Sequence, residues 1–319
     1  MLTLPKMLSD ASLHHITCTL SSSGQSREMW RYPRIISHRG GGFLAPENTL
    51  AAMAVGLSYH NHAVEYDVML SKDLIPIVIH DSELGRTVPG TGNISDLDFQ
   101  DLIQLDAGNW WNLMVEKFLQ NENDIPDLQA TFPQLNCHEI LVMIKKLTRS
   151  HYLNEKIPSF DAVAKFCKSN QIWMNIEIKP APGYDQMTGE VVSQATKELF
   201  LEELSSLEKD DRTLPLFSSF SYDSLMSAKI TAPEIPRSYL TEIIPTNWKN
   251  ILMELEAENI HCDHLHLTES LAAEIKSSGY GLACYTVNDV ARAEELFSWG
   301  VDAIFTDRVD LFEHLNLIR

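Results

Sequence analysis

The sequence is short of positive charge. Lysine and arginine number 25 against 44 aspartates and glutamates, a formal net charge of −19 over 319 residues. Such a surface repels nucleic acid and anionic membranes, so neither is an expected partner. An anionic ligand then needs cations focused locally, or a metal to bridge it to the protein. Long apolar runs are missing too. No stretch of about 20 apolar residues occurs, so no membrane span is expected. The first 29 residues have no continuous apolar core and no Ala-x-Ala pattern, which argues against a secretory signal. Cysteine is scarce: Cys18, Cys137, Cys167, Cys262 and Cys284 are scattered and odd in number. That suits reduced thiols in a cytoplasmic protein better than a disulfide framework.

What is present is a core. Hydrophobic residues make up 44% of the chain, enough for one large barrel-type domain or two ordinary ones. From residue 34 onward, short β-rich runs alternate with helical spacing. The runs lie at 34–37, 63–68, 76–80, 173–178, 214–218, 238–241, 261–267, 282–287 and 303–306. Helical patterns fall between most of them, as at 50–58, 190–207 and 290–299. This alternation argues for a parallel sheet, and its length fits a (β/α)8 barrel better than a doubly wound sheet. One of the candidate strands is surplus. Between Asp67 and His80 there is no room for a helix, only a turn signal at Ser71-Lys72-Asp73. With both residues at the mouth, the chain must run down and back, about 20 Å each way, so one crossover helix is expected to be missing.

Two segments stand apart. Residues 1–30 lack periodicity and read as a poorly ordered N-terminal extension, or as a sorting or partner-binding tail, ahead of a barrel domain at 31–319. Residues 112–157, with a helical pattern at 139–147, read as an insertion on the loop side of the barrel.

The chemistry concentrates at strand ends. Ile35-Ile36-Ser37 runs into His38-Arg39, then three glycines, then Pro46-Glu47-Asn48-Thr49 and a helix start. Active sites of α/β proteins collect at the C-terminal ends of such strands. Arg39 is a fixed cation suited to phosphate oxygens, and His38 exchanges a proton near neutral pH. The plain alternative is a glycine-rich turn with an exposed histidine. Glu65 and Asp67 are spaced i, i+2 on a strand, which puts both carboxylates on one face. A hard divalent cation, Mg²⁺ or Ca²⁺, would offset their repulsion; a solvated acidic face is the other reading. Glu177 and Lys179 repeat the spacing. They offer a third carboxylate and a phosphate-binding cation, or a simple Glu–Lys pair on an edge. His80 ends an apolar run beside Asp81, and two imidazoles at one mouth can divide acid and base work. His261, His264 and His266 form a further cluster, with His264 and His266 i, i+2 on a strand. One of them is expected to line a pocket; a zinc site is not favoured, because Cys262 points away from His261. Tyr285 and Asn288 end a late strand and would contact the alcohol portion of a substrate, unless Tyr285 is ordinary core.

In this order the motifs resemble the glycerophosphodiester phosphodiesterase family, and its bacterial cytoplasmic members most. The resemblance runs through His38-Arg39-Gly40, Pro46-Glu47-Asn48-Thr49, Glu65-Tyr66-Asp67-Val68, Ser71-Lys72-Asp73, His80-Asp81 with Leu84 and Arg86-Thr87, Asn175-Ile176-Glu177-Ile178-Lys179-Pro180, and Tyr285-Thr286-Val287-Asn288. It implies an irregular TIM barrel of the phospholipase C-like type and metal-dependent hydrolysis of a glycerophosphodiester to glycerol 3-phosphate and an alcohol. By resemblance His38 and His80 are the acid/base pair and Glu65, Asp67 and Glu177 hold the metal. Arg39 and Lys179 would contact the phosphate, with Glu47 in support. Apart from the resemblance, the strand-end positions alone offer His266, Tyr285 and Asn288 as substrate-pocket residues. The departures are residues 1–30, the segment 112–157, and Leu74 where the family usually has glycine. A lysophospholipid substrate, admitted through an apolar entrance built by the insertion, is one rival reading; a silent phosphodiester-binding barrel is the other. The oligomeric state is not read from the sequence.

Overall fold

The computed structural model describes residues 30–120, 152–206 and 213–313. All of the N-terminal extension except Trp30, and most of the 112–157 segment including the pattern at 139–147, lie outside the described residues.

All nine expected strands are present. They are β1 (Ile35–Ser37), β2 (Ala63–Leu70), β3 (Pro76–Val78), β4 (Trp173–Ile178), β5 (Leu216–Ser219), β6 (Arg237–Thr241), β7 (Asn259–Asp263), β8 (Gly281–Tyr285) and β9 (Ala303–Thr306). Eight of them pair parallel, and the β1–β2 pairing closes the ring, so the fold is a closed parallel barrel. The surplus strand is β3, which runs antiparallel on the outer part of β2 with Val68 opposite Val78.

Two expectations are corrected here. The chain does not descend the barrel between Asp67 and His80. It continues past Asp67 to Leu70, turns at 71–75 and returns, so that Ile79 N–H donates to the Asp67 carbonyl at 3.1 Å. A hairpin needs fewer residues than a full traverse, and the turn at Ser71 supplies it: Ser71 Oγ donates to Asp73 and accepts from Ile75 N–H. No crossover helix is missing either. The β2-to-β4 crossover is made by the helix Phe160–Ser169, delayed by the intervening 80 residues or so of chain. At the tip of the hairpin Leu74 holds φ +62°, the left-handed region that favours glycine.

The helices are α1 (Leu50–Ser58), α2 (Phe99–Leu102), α3 (Asn109–Gln120), α4 (Phe160–Ser169), α5 (Asp185–Leu199), α6 (Leu201–Ser205), α7 (Tyr222–Thr231), α8 (Trp248–Leu255), α9 (Glu269–Ser277) and α10 (Val290–Ser298). Several start on a capping side chain: Thr49, Ser159, Ser221, Thr268 and Asp289 each accept a first-turn N–H. Each such cap stabilises its helix by about 1 kcal/mol. These caps sit on the loops leaving the strand ends, so they also set where those loops lie.

Strand alternation sorts the side chains into two layers. On β2, Val64, Tyr66 and Val68 pack outward with Phe160, Val163 and Ile176 under the helices. Glu65 and Asp67 take the opposite face, into the barrel. The N-terminal end of the barrel is closed by Trp30, Tyr32 and Trp173, with Tyr32 stacked on Trp173 at 4.6 Å between ring centres. Trp30 is therefore part of the barrel packing and not of an extension. α3 packs at the opposite end, where Trp111 and Val115 bury against Leu44 and Val309.

Candidate active site

The parallel register aligns Asp67 with Glu177 on neighbouring strands, with Glu65 two residues earlier on β2. Carboxylate oxygens of the three lie within 4.8 Å of one another. All are buried, at 3%, 1% and 8% exposure for Glu65, Asp67 and Glu177. Asp67 is well partnered: Oδ2 accepts from Asn48 Nδ2 at 2.8 Å, Oδ1 from Lys179 Nζ at 3.1 Å, and Arg39 Nε lies 3.6 Å away. Burial alone would raise its pKa, but Lys179, His80 and Arg39 hold it well below the usual carboxylate range. Glu65 and Glu177 go the other way, pushed up by burial and then by the Asp67 charge. Glu65 Oε2 accepts the Arg39 N–H at 3.0 Å, while Oε1 is buried with no hydrogen-bond partner. An orphaned buried carboxylate oxygen facing two further acids is the donor set of a hard divalent cation, and the three residues fit one.

His38 follows β1 and is fixed from the far end of the chain. Its Nδ1 bonds Asp307 Oδ1 at 2.7 Å, and Asp307 Oδ2 accepts from Asn288 Nδ2 at 3.1 Å. Asn288 Oδ1 in turn accepts the Asp307 N–H at 2.8 Å. Gly42 makes this joint possible. It holds φ +56°, and a Cβ there would lie 2.2 Å from the Asp307 Cα. His38 Nε2 is left 3.9 Å from Glu65 Oε2. Burial works to lower the His38 pKa, but Asp307, aided by Glu65, outweighs it and the net shift is upward.

His80 is held in the same manner, Nδ1 to Asp81 Oδ1 at 2.7 Å. Its net shift is downward: burial dominates over the attraction of Asp67 and Asp81. Arg86, to which the sequence assigns no role beyond the Arg86-Thr87 motif, ties this corner together. It donates to Asp81 Oδ2 at 2.6 Å and to both oxygens of Glu47 at 2.6 and 2.7 Å. Glu47 also accepts from Arg39 Nη1 at 2.9 Å. Against its burial, Arg39 and Arg86 lower the Glu47 pKa from 4.5 to about 2.

This clamp has a measurable consequence. A depressed carboxylate stabilises the fold above its unfolded pKa and loses that contribution as pH falls through the folded one. The shift from 4.5 to about 2 corresponds to about 3 kcal/mol at neutral pH. Glu47→Gln is expected to be less stable by that order at pH 7, with the gap falling to less than half at pH 3. Urea unfolding of both proteins at the two pH values checks it.

The residues line two adjoining cavities. One, of about 260 Å³, reaches down into the barrel and takes in His38, Arg39, Glu65, His80, Glu177 and Lys179. The other, of about 270 Å³, shares His38, Arg39 and Thr286 with it and is walled by Phe43, Trp110, Trp111 and Met114. Lys179 lines the first cavity but spends its charge on Asp67 and, at 3.7 Å, on Glu177. Tyr285 also lines it, its hydroxyl donating to the Thr241 carbonyl.

Two pocket expectations are corrected. Asn288 is buried behind Asp307 and does not line the cavity. His266 is exposed in the turn after β7, paired at 3.7 Å with Asp263, because that strand ends at Asp263 and not at 267. Of the three clustered histidines it is His261 that lines the cavity. Cys262 does face the other way, into the helix layer.

A ring of acids and imidazoles at the C-terminal mouth of a parallel barrel defines a hydrolase-type site for a charged ester. The family model of the glycerophosphoryl diester phosphodiesterase family matches residues 38–311, and the chain belongs to that family. As a member it is a phosphoric diester hydrolase. It is 26% identical over 285 residues to a glycerophosphodiester phosphodiesterase of Caldanaerobacter subterraneus, covering 89% of this chain and 97% of that one. A Bacillus subtilis glycerophosphodiester phosphodiesterase is 26% identical over 286 residues, covering 88% and 85%. Among solved structures, an Oleispira antarctica phosphodiesterase in complex with the product sn-glycerol-3-phosphate superposes with a TM-score of 0.70 at 30% identity, covering 88% of this chain and 96% of that one. No helix among the described residues is long and apolar enough to cross a membrane.

Proposed function

We propose that the chain cleaves glycerophosphodiesters to glycerol 3-phosphate and a free alcohol, with His38 and His80 exchanging the protons. The observation that carries this reading is the pair of imidazoles, each held through Nδ1 by an aspartate at 2.7 Å, beside a triad of buried acids. Anchoring Nδ1 leaves Nε2 of each ring for chemistry. Their environments push them apart, as an acid and a base require. His38, drawn toward the imidazolium by Asp307, protonates the departing alcohol. His80, held toward the neutral ring, takes the proton of the attacking hydroxyl, whether from water or from the glycerol itself. Arg39 and Lys179 line the cavity with positive charge for the phosphodiester oxygens, and Glu47 keeps Arg39 in place. Glu65, Asp67 and Glu177 would hold Mg²⁺ or Ca²⁺. Bound there, the ion supplies charge neutralisation to the phosphoryl group. The product complex of the Oleispira antarctica relative supports this reading. Buried free thiols at Cys167, Cys262 and Cys284 support a cytoplasmic setting.

A second reading is favoured by the aromatic wall of the adjoining cavity, which suits the acyl arm of a lysophospholipid. A coupled assay for glycerol 3-phosphate, run beside one for the released choline or ethanolamine because a lysolipid leaves acylglycerol 3-phosphate instead, decides between them. Glycerophosphocholine, glycerophosphoethanolamine and lysophosphatidylcholine are offered with and without Mg²⁺ or Ca²⁺. Release of glycerol 3-phosphate from the short diesters is the expected result. Faster turnover of the lysolipid would favour the second reading, and turnover of none would remove both.

A further inference from the structure

His80 and Arg39 follow different strands, yet one side chain stands behind both. Arg86 Nε and Nη2 donate to the two oxygens of Asp81 at 2.6 and 3.0 Å. Its Nη1 and Nη2 donate to the two oxygens of Glu47 at 2.7 and 2.6 Å. Asp81 in turn holds His80 Nδ1, and Glu47 holds Arg39 Nη1. Every nitrogen of the guanidinium is engaged, with two carboxylates on one planar fork. Arg86 itself stands outside the chemistry. It lines the adjoining cavity and an open groove beyond Asp81, but not the cavity of the acid triad.

The loop that carries Arg86 holds it there. Ile94 N–H donates to the Ser82 carbonyl at 2.8 Å and Leu84 N–H to that of Gly92 at 2.9 Å, which closes the loop on itself. Gly85 N–H donates to the Val88 carbonyl at 2.8 Å, so Arg86 sits in the bend between them, and Val88 is buried in an apolar cluster. An exposed arginine on a free loop spreads over many rotamers, and its ion pairs count for little. Here the backbone fixes the root of the side chain and four hydrogen bonds fix its tip. A carboxylate gripped at both oxygens cannot swing about its last torsion, so the group it holds cannot swing with it. Such precision matters, because a displacement of about 1 Å at a reacting group costs up to about 10²-fold in rate.

We propose that Arg86 is a positioning residue that locks the His80 ring and the Arg39 guanidinium to one another, so that the proton acceptor and the phosphate-binding cation keep one fixed geometry. The proposal rests on the reading of His80 as the proton acceptor. It is tested on the full chain with glycerophosphocholine, in Mg²⁺ or Ca²⁺, with circular dichroism to confirm the fold. Arg86→Ala is expected to lower kcat about 10- to 100-fold. KM changes less, because Arg39 keeps its contact to Asp67. Added guanidinium chloride, well below denaturing concentration, enters through the open groove and recovers part of the loss, whereas equal sodium chloride does not. Arg86→Lys recovers less than guanidinium does, since a point ammonium cannot grip two carboxylates at once. Asp81→Asn combined with Arg86→Ala loses about as much as the worse single variant, because the two act as one unit. An unchanged kcat in Arg86→Ala, no rescue by guanidinium, full recovery in Arg86→Lys, or losses that multiply in the double variant would overturn the lock. A spectroscopic readout separates this from the parent reading. In the ¹⁵N-histidine-labelled chain, the His80 Nδ1–H resonance is sharp, and in Arg86→Ala it broadens as the proton exchanges with water. If it stays unchanged, the lock is wrong whether or not the chain turns over any diester. Full turnover in His80→Ala would count against the parent reading alone.

Discussion

His38→Ala is expected to lower turnover of a glycerophosphodiester by about 10²- to 10⁴-fold, the range for one positioned acid or base. The barrel stays folded, because His38 is a loop residue at the mouth and its ring packs on no core cluster. The loss should fall on kcat more than on KM, since a proton transferred in the transition state contributes little to ground-state binding. Asp307→Asn should fall between the two proteins. It keeps a hydrogen-bonding group near Nδ1 but removes the charge that favours the imidazolium, and Asn288 still braces the loop. Steady-state kinetics with glycerophosphocholine, set beside circular dichroism, check both. Turnover that survives His38→Ala within a few-fold would remove the acid from the mechanism.

Much of this arrangement is legible in the chain itself, because strand periodicity is a local property. The i, i+2 spacing of Glu65 with Asp67, and of Glu177 with Lys179, is enough to put each pair on one face. The parallel register then brings the two strands level. What escapes the sequence is pairing over distance. His38 and Asp307 are 269 positions apart, and nothing local to either marks the other. The signal available was positional: both follow the last residue of barrel strands that are neighbours in the closed ring. Arg86 escaped for a similar reason. Its partners Glu47 and Asp81 come from two loops, and only the fold shows that one guanidinium spans them. His264 and His266 misled because a polar, alternating stretch reads as strand, whereas Asp263 ends β7 and its Oδ1 accepts the Leu265 N–H to start a turn. The β3 hairpin was mistaken for a traverse of the barrel because hairpin strands and barrel strands share one local pattern.

Removing divalent metal is expected to cost more than any single side chain. Two unit charges about 4.8 Å apart repel by roughly 3–4 kcal/mol at an effective dielectric constant near 20, and this site gathers three acids within that distance. The protein's own cations relieve only part of the strain. Lys179 and Arg39 serve Asp67, while Glu65 Oε1 has no partner. Without an ion, Glu65 and Glu177 relieve the rest by holding protons, as their raised pKa values record. A protonated pair of acids carries no field to hold a cation, so protons and metal compete. Affinity for Mg²⁺ or Ca²⁺ should therefore rise with pH across the neutral range and fall on acidification, with protons released on binding. Calorimetry at pH 6, 7 and 8, in buffers of different ionisation enthalpy, reads both the affinity and the proton count. Chelator-treated protein should lose more than about 10⁴-fold in turnover, since charge neutralisation at the phosphoryl group exceeds what one acid or base contributes, and either ion should restore it. Glu65→Gln removes one of the two competing protons along with a ligand. Its metal affinity should be weaker and its pH dependence shallower, with Glu177 left to titrate. An unchanged pH dependence in that variant would mean that the titrating acid lies elsewhere, and full turnover in chelator would mean that the triad holds no catalytic ion.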